Sequence, residues 1–136
     1  ALEAYREKLL PLGGIWTPNL PELAELVACD PSELALEPGL RVTAANKLIE
    51  AGAEAVLVKG GHGHENPVLD LLVVASGEAS WIERRRIAGR GIRGSGCRYA
   101  SFLGGRLAAG EALEPAARAA GEWVADCIRK KSQTTE

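Results

Sequence analysis

Leu2, Tyr5, Leu9 and Leu12 recur at helical spacing from the first residues, and Pro11 closes the segment, so a helix is predicted over 2–10. After Gly13-Gly14 the apolar run Ile15-Trp16-Thr17 reads as a short buried strand, and Pro18-Asn19-Leu20-Pro21-Glu22 opens a second helix through Val27. Between Asp30 and Gly39 two prolines flank a short acidic segment that reads as loop. Val42, Ala45, Leu48 and Ile49 then give a helical stripe within 40–51 that stops at Gly52. The unbroken apolar run Ala55-Val56-Leu57-Val58 follows and passes through Lys59 into the glycine turn Gly60-Gly61-His62-Gly63-His64. Helix then strand, twice over, predicts parallel strands joined by crossover helices.

Leu69 to Val74 and Ala79 to Ile87, separated by Ser76-Gly77-Glu78, read as a hairpin that extends the sheet at its edge. The glycine-rich stretch Gly89-Arg90-Gly91-Ile92-Arg93 leads into Gly94-Ser95-Gly96-Cys97 and a helical pattern that closes on Gly110. A last amphipathic helix spans 113–129, with Glu114 and Pro115 at its start and Arg129-Lys130-Lys131 at its end, and residues 132–136 are expected to fray.

At 136 residues, with 46% hydrophobic and only 4% aromatic content, the chain holds one core of Ala, Leu, Val and Ile, and one domain is expected. A net charge of -2 argues against general nucleic-acid binding. The arginines are nevertheless uneven: Arg84, Arg85, Arg86, Arg90, Arg93, Arg98 and Arg106 lie in or near the glycine stretch, which suits a phosphorylated ligand. For Arg84 to Arg86 alone, a charged strand edge that blocks sheet aggregation is the simpler reading. Cys29, Cys97 and Cys127 are widely spaced with no CxxC pair, which indicates neither a zinc site nor a disulfide framework and fits a reducing cytoplasm. No apolar run reaches the ~18 residues of a membrane span.

Three stretches carry candidate chemistry. Gly94-Ser95-Gly96-Cys97 sits where two glycines turn the chain and the first helical amides point forward as an anion cradle. Cys97 lies in the helix field that favours negative charge, as a proton acceptor or nucleophile, or is simply a small residue at a helix start. Lys59 stands at a strand tip, able to reach an anion above the sheet or merely to snorkel. Asn19 and Glu22 follow a strand's carboxyl end, where open parallel sheets bind ligands; a helix cap and a first-turn carboxylate are the structural alternatives. His62 and His64, two residues apart without a third ligand nearby, do not make a metal site.

The order of these motifs, Thr17-Pro18-Asn19-Leu20-Pro21-Glu22, then Val56-Leu57-Val58-Lys59-Gly60-Gly61-His62, then Leu69-Asp70-Leu71-Leu72, then Gly94-Ser95-Gly96-Cys97, resembles the hydroxymethylpyrimidine/phosphomethylpyrimidine kinases of thiamine biosynthesis, members of the ribokinase-like superfamily. Cysteine at the end of the glycine motif, where most of that superfamily has aspartate, is similar to these kinases and to a few pyridoxal kinases. The resemblance implies a three-layer α/β/α fold of which this chain, residues 1–136, is a single partial domain: the C-terminal half of a mostly parallel central sheet with its edge hairpin. It also implies that strands and most of the pyrimidine pocket lie outside it. A sequence with no methionine that opens inside a helix agrees with a piece of a larger chain, or with removal of an initiator methionine before Ala1.

By position, the resemblance makes Cys97 the catalytic base toward the substrate hydroxymethyl and Gly94, Ser95 and Gly96 the amides that hold charge on the transferred phosphoryl. Lys59 and Gly61 contact ATP phosphates, with Asn19 and Arg93 beside them, and Asn19 with Glu22 organises Mg²⁺ partly through water; Asp70 matches a recurrent position. The implied reaction is ATP-dependent phosphorylation of 4-amino-5-hydroxymethyl-2-methylpyrimidine and its monophosphate. The alternatives are a pyridoxal-type kinase or a catalytically incomplete nucleotide-binding half. A thiol enzyme with Cys97 as nucleophile would need His62 or His64 as its base, and their loop already has a phosphate-site explanation. The expected partners are the small pyrimidine and ATP, with a homodimer or the missing half as protein partner and neither nucleic acid nor membrane. Ile92-Arg93, Ser95 and Arg98-Tyr99 depart from the family's usual residues, and Arg93 adds a permanent charge beside the phosphate path.

Overall fold

The computed structural model describes residues 1–88 and 93–134. These fall into two compact units, Ala1–Glu83 and Arg84–Glu136.

In the first unit, strands β1 (Ile15–Trp16), β2 (Ala55–Val58), β3 (Val68–Val74) and β4 (Ala79–Arg84) lie side by side in that order. β1 and β2 are parallel, Ile15 opposite Ala55 and Trp16 opposite Val56, joined through α2 (Leu20–Val27), α3 (Pro31–Leu36) and α4 (Pro38–Glu50). β2 and β3 are antiparallel, Val56 opposite Val73 and Val58 opposite Leu71. The sheet is therefore mixed rather than mostly parallel. The nine residues 59–67 between β2 and β3 hold only a 3₁₀ turn, Gly60–His62, and a parallel return needs a crossover of a dozen or more residues. The hairpin β3–β4 forms as expected, its turn closed by Gly77 N–H to Val74 O at 2.9 Å.

The paired register puts Val56, Val58, Leu71 and Val73 on one face, where they form a core with Leu20, Leu23 and Ala24 of α2, Leu34 of α3, and Ala45 and Leu48 of α4. Burial of each such Leu or Val contributes roughly 1.5–3 kcal/mol. Ala55 and Leu57, which point the other way, are buried as well, so all four residues of β2 are inaccessible to water.

The helices of this unit depart from the sequence pattern as follows. The first helix is three short pieces: α1 (Leu2–Ala4), a π turn at Tyr5–Leu9 and a 3₁₀ turn at Leu10–Leu12. Its expected inner stripe of Leu2, Tyr5, Leu9 and Leu12 is exposed, and Leu10 alone enters the core. The expected loop after Asp30 contains α3, because Asp30 caps a helix rather than ending one: its carboxylate accepts from Ser32 N–H at 2.9 Å, and Pro31 occupies the first helical position, where a missing N–H costs nothing. α4 begins at Pro38, two residues earlier than expected; Ala45 and Leu48 of the predicted stripe are buried and Val42 and Ile49 pack against the core, but the buried face also includes Arg41 and Ala44.

In the second unit, α5 (Ser95–Ala108) and α6 (Leu113–Thr134) pack on each other. Ala116, Ala117, Ala120 and Gly121 keep the inner side of α6 small, and the Tyr99 hydroxyl of α5 donates to Ala117 O at 3.2 Å. Phe102 stacks on Trp123 with centroids 4.8 Å apart, and the Arg106 guanidinium lies over Phe102. Of the segment expected to fray, 132–134 continue α6, with the Ser132 and Thr134 hydroxyls donating to Ile128 O and Lys131 O, so α6 runs five residues beyond its predicted end; residues 135–136 fall outside the described residues. No described helix is long and apolar enough to cross a membrane.

Candidate functional site

The carboxyl ends of β1 and β2 lie together. Beyond the two strands the ladder continues for one isolated parallel bridge, Asn19 to Lys59, with Lys59 N–H donating to Pro18 O at 2.9 Å. The two stretches singled out in the sequence, 37 residues apart at their nearest in the chain (59 minus 22), thus meet through their backbones.

Asn19 and Glu22 are locked in a reciprocal capping box at the start of α2. The Asn19 side chain accepts from Glu22 N–H at 2.8 Å, and Glu22 Oε2 accepts from Asn19 N–H at 2.9 Å. This is the helix-cap arrangement weighed against a metal role, and it leaves the exposed Glu22 with Oε1 as the oxygen the box does not use. Among the described residues, no three His, Cys, Asp or Glu side chains gather into a metal cage. Magnesium needs no such cage, because it keeps several waters and takes one or two carboxylates plus substrate phosphates; a single exposed carboxylate at a strand end fits that donor set.

Lys59 is buried, 9% exposed, and begins a tightly held loop. Gly60 N–H donates to Asp70 Oδ1 at 2.7 Å, and Gly63 N–H returns to Gly60 O at 2.9 Å. Gly60 is a glycine because of space: a Cβ there would lie 1.9 Å from Leu69 O. Asp70, fully buried in β3, thereby acquires a concrete task, anchoring the first amide of the loop. Gly61 and His62 are exposed at the loop's surface.

The sequence reading missed Arg41. It is fully buried, and all three guanidinium nitrogens are engaged: Nε with Leu34 O at 2.8 Å, Nη1 with Glu65 Oε1 at 2.6 Å and Leu69 O at 3.3 Å, Nη2 with Glu65 Oε2 at 3.0 Å and Ala35 O at 3.3 Å. The signal was present, since Arg41, Ala44, Ala45 and Leu48 share one helical face and an arginine in an apolar stripe demands a partner. Partial burial pushes the Glu65 carboxyl up, but the bonds from Arg41 and from backbone amides outweigh it and hold Glu65 below the ordinary carboxylate range.

In the second unit, Gly94 has φ +81°, a left-handed conformation that suits a residue without Cβ, and caps α5. The first helical bond runs from Arg98 N–H to Gly94 O at 3.0 Å, so Ser95, Gly96 and Cys97 form the opening turn whose amides precede it. Cys97 is an exposed free thiol, not a core residue, and Arg93 is exposed just before the turn. Arg84 lies over the Tyr99 ring, 5.9 Å from its centroid. Arg90 and Ile92 fall outside the described residues.

A strand-end pairing beside a glycine loop in one unit, and a helix opened by Gly-Ser-Gly-Cys in the other, define an α/β chain. The sequence profile described as phosphomethylpyrimidine kinase matches residues 1–136, and the chain belongs to that ribokinase-like family. It is 38% identical over 128 residues to the hydroxymethylpyrimidine/phosphomethylpyrimidine kinase of Streptomyces coelicolor, covering 94% of this chain and 45% of that protein. The enzyme of the same name from Haemophilus influenzae is 30% identical, with coverages of 94% and 47%. The chain thus spans about half the length of these relatives. Among solved structures, the ADP complex of Bacillus subtilis pyridoxal kinase superposes with a TM-score of 0.79 at 29% identity, over 88% of this chain and 45% of the other. Staphylococcus aureus pyridoxal kinase bound to AMP-PCP superposes with a TM-score of 0.84 at 26% identity, over 93% and 45%.

Proposed function

We propose that this chain is the ATP-handling, C-terminal half of a three-layer kinase that phosphorylates hydroxymethylpyrimidine and its monophosphate. The observation that carries the proposal is the Asn19–Lys59 bridge, which unites the two phosphate-side motifs at the end of the parallel strand pair. Lys59 and the Gly60–Gly61 turn receive the nucleotide phosphates, with Asn19 beside them, and Arg93 of the second unit supplies a further positive charge for the nucleotide. Glu22 and Asn19 would hold the water shell of a magnesium ion, which would supply charge neutralisation at the nucleotide phosphates. Cys97 takes the proton of the attacking hydroxymethyl group, and the amides of residues 94–97 stabilise the transferred phosphoryl. The exposure of Cys97 supports that role, since a base must reach its substrate.

A pyridoxal-type substrate is the second reading, favoured by the likeness to Staphylococcus aureus pyridoxal kinase in complex with AMP-PCP and pyridoxal, TM-score 0.82. Competition between hydroxymethylpyrimidine and pyridoxal for phosphate from ATP, in the complete gene product, separates the two. Equilibrium dialysis tests the nucleotide role in the chain itself. Saturable binding of Mg–ATP that Lys59→Ala weakens is expected; no binding would leave the chain a structural half.

A further inference from the structure

The loop from Lys59 to Gly63 is pinned at its start by groups outside it and packs closely over a buried ion pair at both glycine ends. Lys59 N–H is tied to Pro18 O, Gly60 N–H to Asp70, and beneath the glycines lies the Arg41–Glu65 pair. The fit is close: a Cβ on Gly63 would come within 2.5 Å of both Arg41 Nη2 and Glu65 Oε2, and one on Gly60 within 3.3 Å of Arg41 Nη1. The same Nη1 bonds Leu69 O, the carbonyl over which Gly60 sits. Arg41 therefore ties together the carbonyls that end α3, the β3 residue beneath the loop, and the carboxylate that closes it.

A buried ion pair is poor value as a source of stability, because desolvation cancels most of its attraction. What a fully used guanidinium fork provides is fixed geometry, with carboxylate and carbonyls held at set positions around one plane. We propose that Arg41 and Glu65 are positioning residues that hold the 59–63 loop in the shape that receives the outer phosphates of the nucleotide. This rests on the phosphate-site reading above. Neither residue touches the nucleotide; both act through the backbone of the loop.

The test titrates the complete gene product by calorimetry with Mg–AMP-PCP and, separately, with AMP, which lacks the outer phosphates. Glu65→Gln and Arg41→Lys are compared with wild type and with Arg118→Gln, which removes only the exposed Arg118–Glu114 pair of α6. Misplacement of the loop is expected to raise the dissociation constant for Mg–AMP-PCP about tenfold or more in both loop variants while leaving that for AMP unchanged. Hydrogen exchange at the amides of residues 60–65 should accelerate in parallel, with the β2 amides unaffected. Arg41→Lys keeps the charge but not the fork, so it does not rescue; should it fail to fold, Glu65→Gln, at a side chain 18% exposed, decides alone. A folded Glu65→Gln that binds Mg–AMP-PCP like wild type, or weakens both ligands equally, overturns the proposal with the phosphate site intact. Wild-type gene product that binds neither ligand overturns the phosphate-site reading itself, and the proposal with it.

Discussion

Replacing Gly60 by alanine tests whether the glycine loop is held by contact or merely permitted by flexibility. Gly60 is not among the glycines with positive φ, so alanine is acceptable to its backbone, and the whole effect comes from its surroundings. The added methyl would stand 1.9 Å from Leu69 O and 2.7 Å from its carbonyl carbon, both backbone atoms of a paired strand that cannot swing aside. The loop must lift, and lifting breaks the 2.7 Å bond from Gly60 N–H to the fully buried Asp70. Forcing a methyl into a filled site costs about 1–3 kcal/mol. Leaving a buried polar group short of a partner costs a further ~1–3 kcal/mol. Together these amount to roughly 2–6 kcal/mol, a large share of the ~5–15 kcal/mol by which such a domain is stable. Urea unfolding at neutral pH measures it, with Gly39→Ala as control: a methyl at Gly39 meets nothing within 4 Å, and it lies in the first turn of α4, where alanine is neutral or mildly favourable. A loss below about 1 kcal/mol for Gly60→Ala would refute the claim that loop and β3 are locked together.

Other outcomes follow from single contacts. Asn19→Ala and Glu22→Ala should each destabilise by about 1 kcal/mol through loss of the capping box, and a double-mutant cycle should show the losses to be non-additive, because the two bonds are reciprocal. Glu65, held below its unfolded value of about 4.3, contributes stability that is fully present above that pH and lost as pH falls through the lower folded value; melts between about pH 3 and 7 should therefore show an acid-side loss that Glu65→Gln lacks. Tyr99→Phe deletes the hydroxyl that bonds Ala117 O and should cost about 1 kcal/mol in urea unfolding, leaving the 59–63 loop's hydrogen exchange unchanged.

Much of this arrangement was legible from residue order. The apolar run Ala55 to Val58 is buried along its whole length, and the strand-to-helix passage at Thr17–Glu22 and the glycine-opened helix at Gly94 lie where the pattern put them. What escaped was information carried by partners distant in sequence. β3 turns back antiparallel because 59–67 is too short to cross over, a constraint of length that the helix–strand rhythm conceals. α3 was hidden by its prolines, which begin helices as readily as they break them. The helical face marked Arg41 as needing a partner, but which partner was hidden, because Glu65 lies 24 residues further on. The Leu2, Tyr5, Leu9, Leu12 stripe is real as a pattern yet exposed, since periodicity reports which side is apolar, not what covers it.

The central claim, that residues 94–97 carry proton removal and phosphoryl stabilisation for a kinase, is tested most directly by phosphate transfer. The complete gene product is supplied with Mg–ATP and hydroxymethylpyrimidine, whose free hydroxymethyl group is the nucleophile, as wild type and as Cys97→Ala. The account predicts turnover in the wild type and a loss of about 10²–10⁴-fold in the variant at unchanged Mg–ATP affinity. Turnover by Cys97→Ala at the wild-type rate would contradict it.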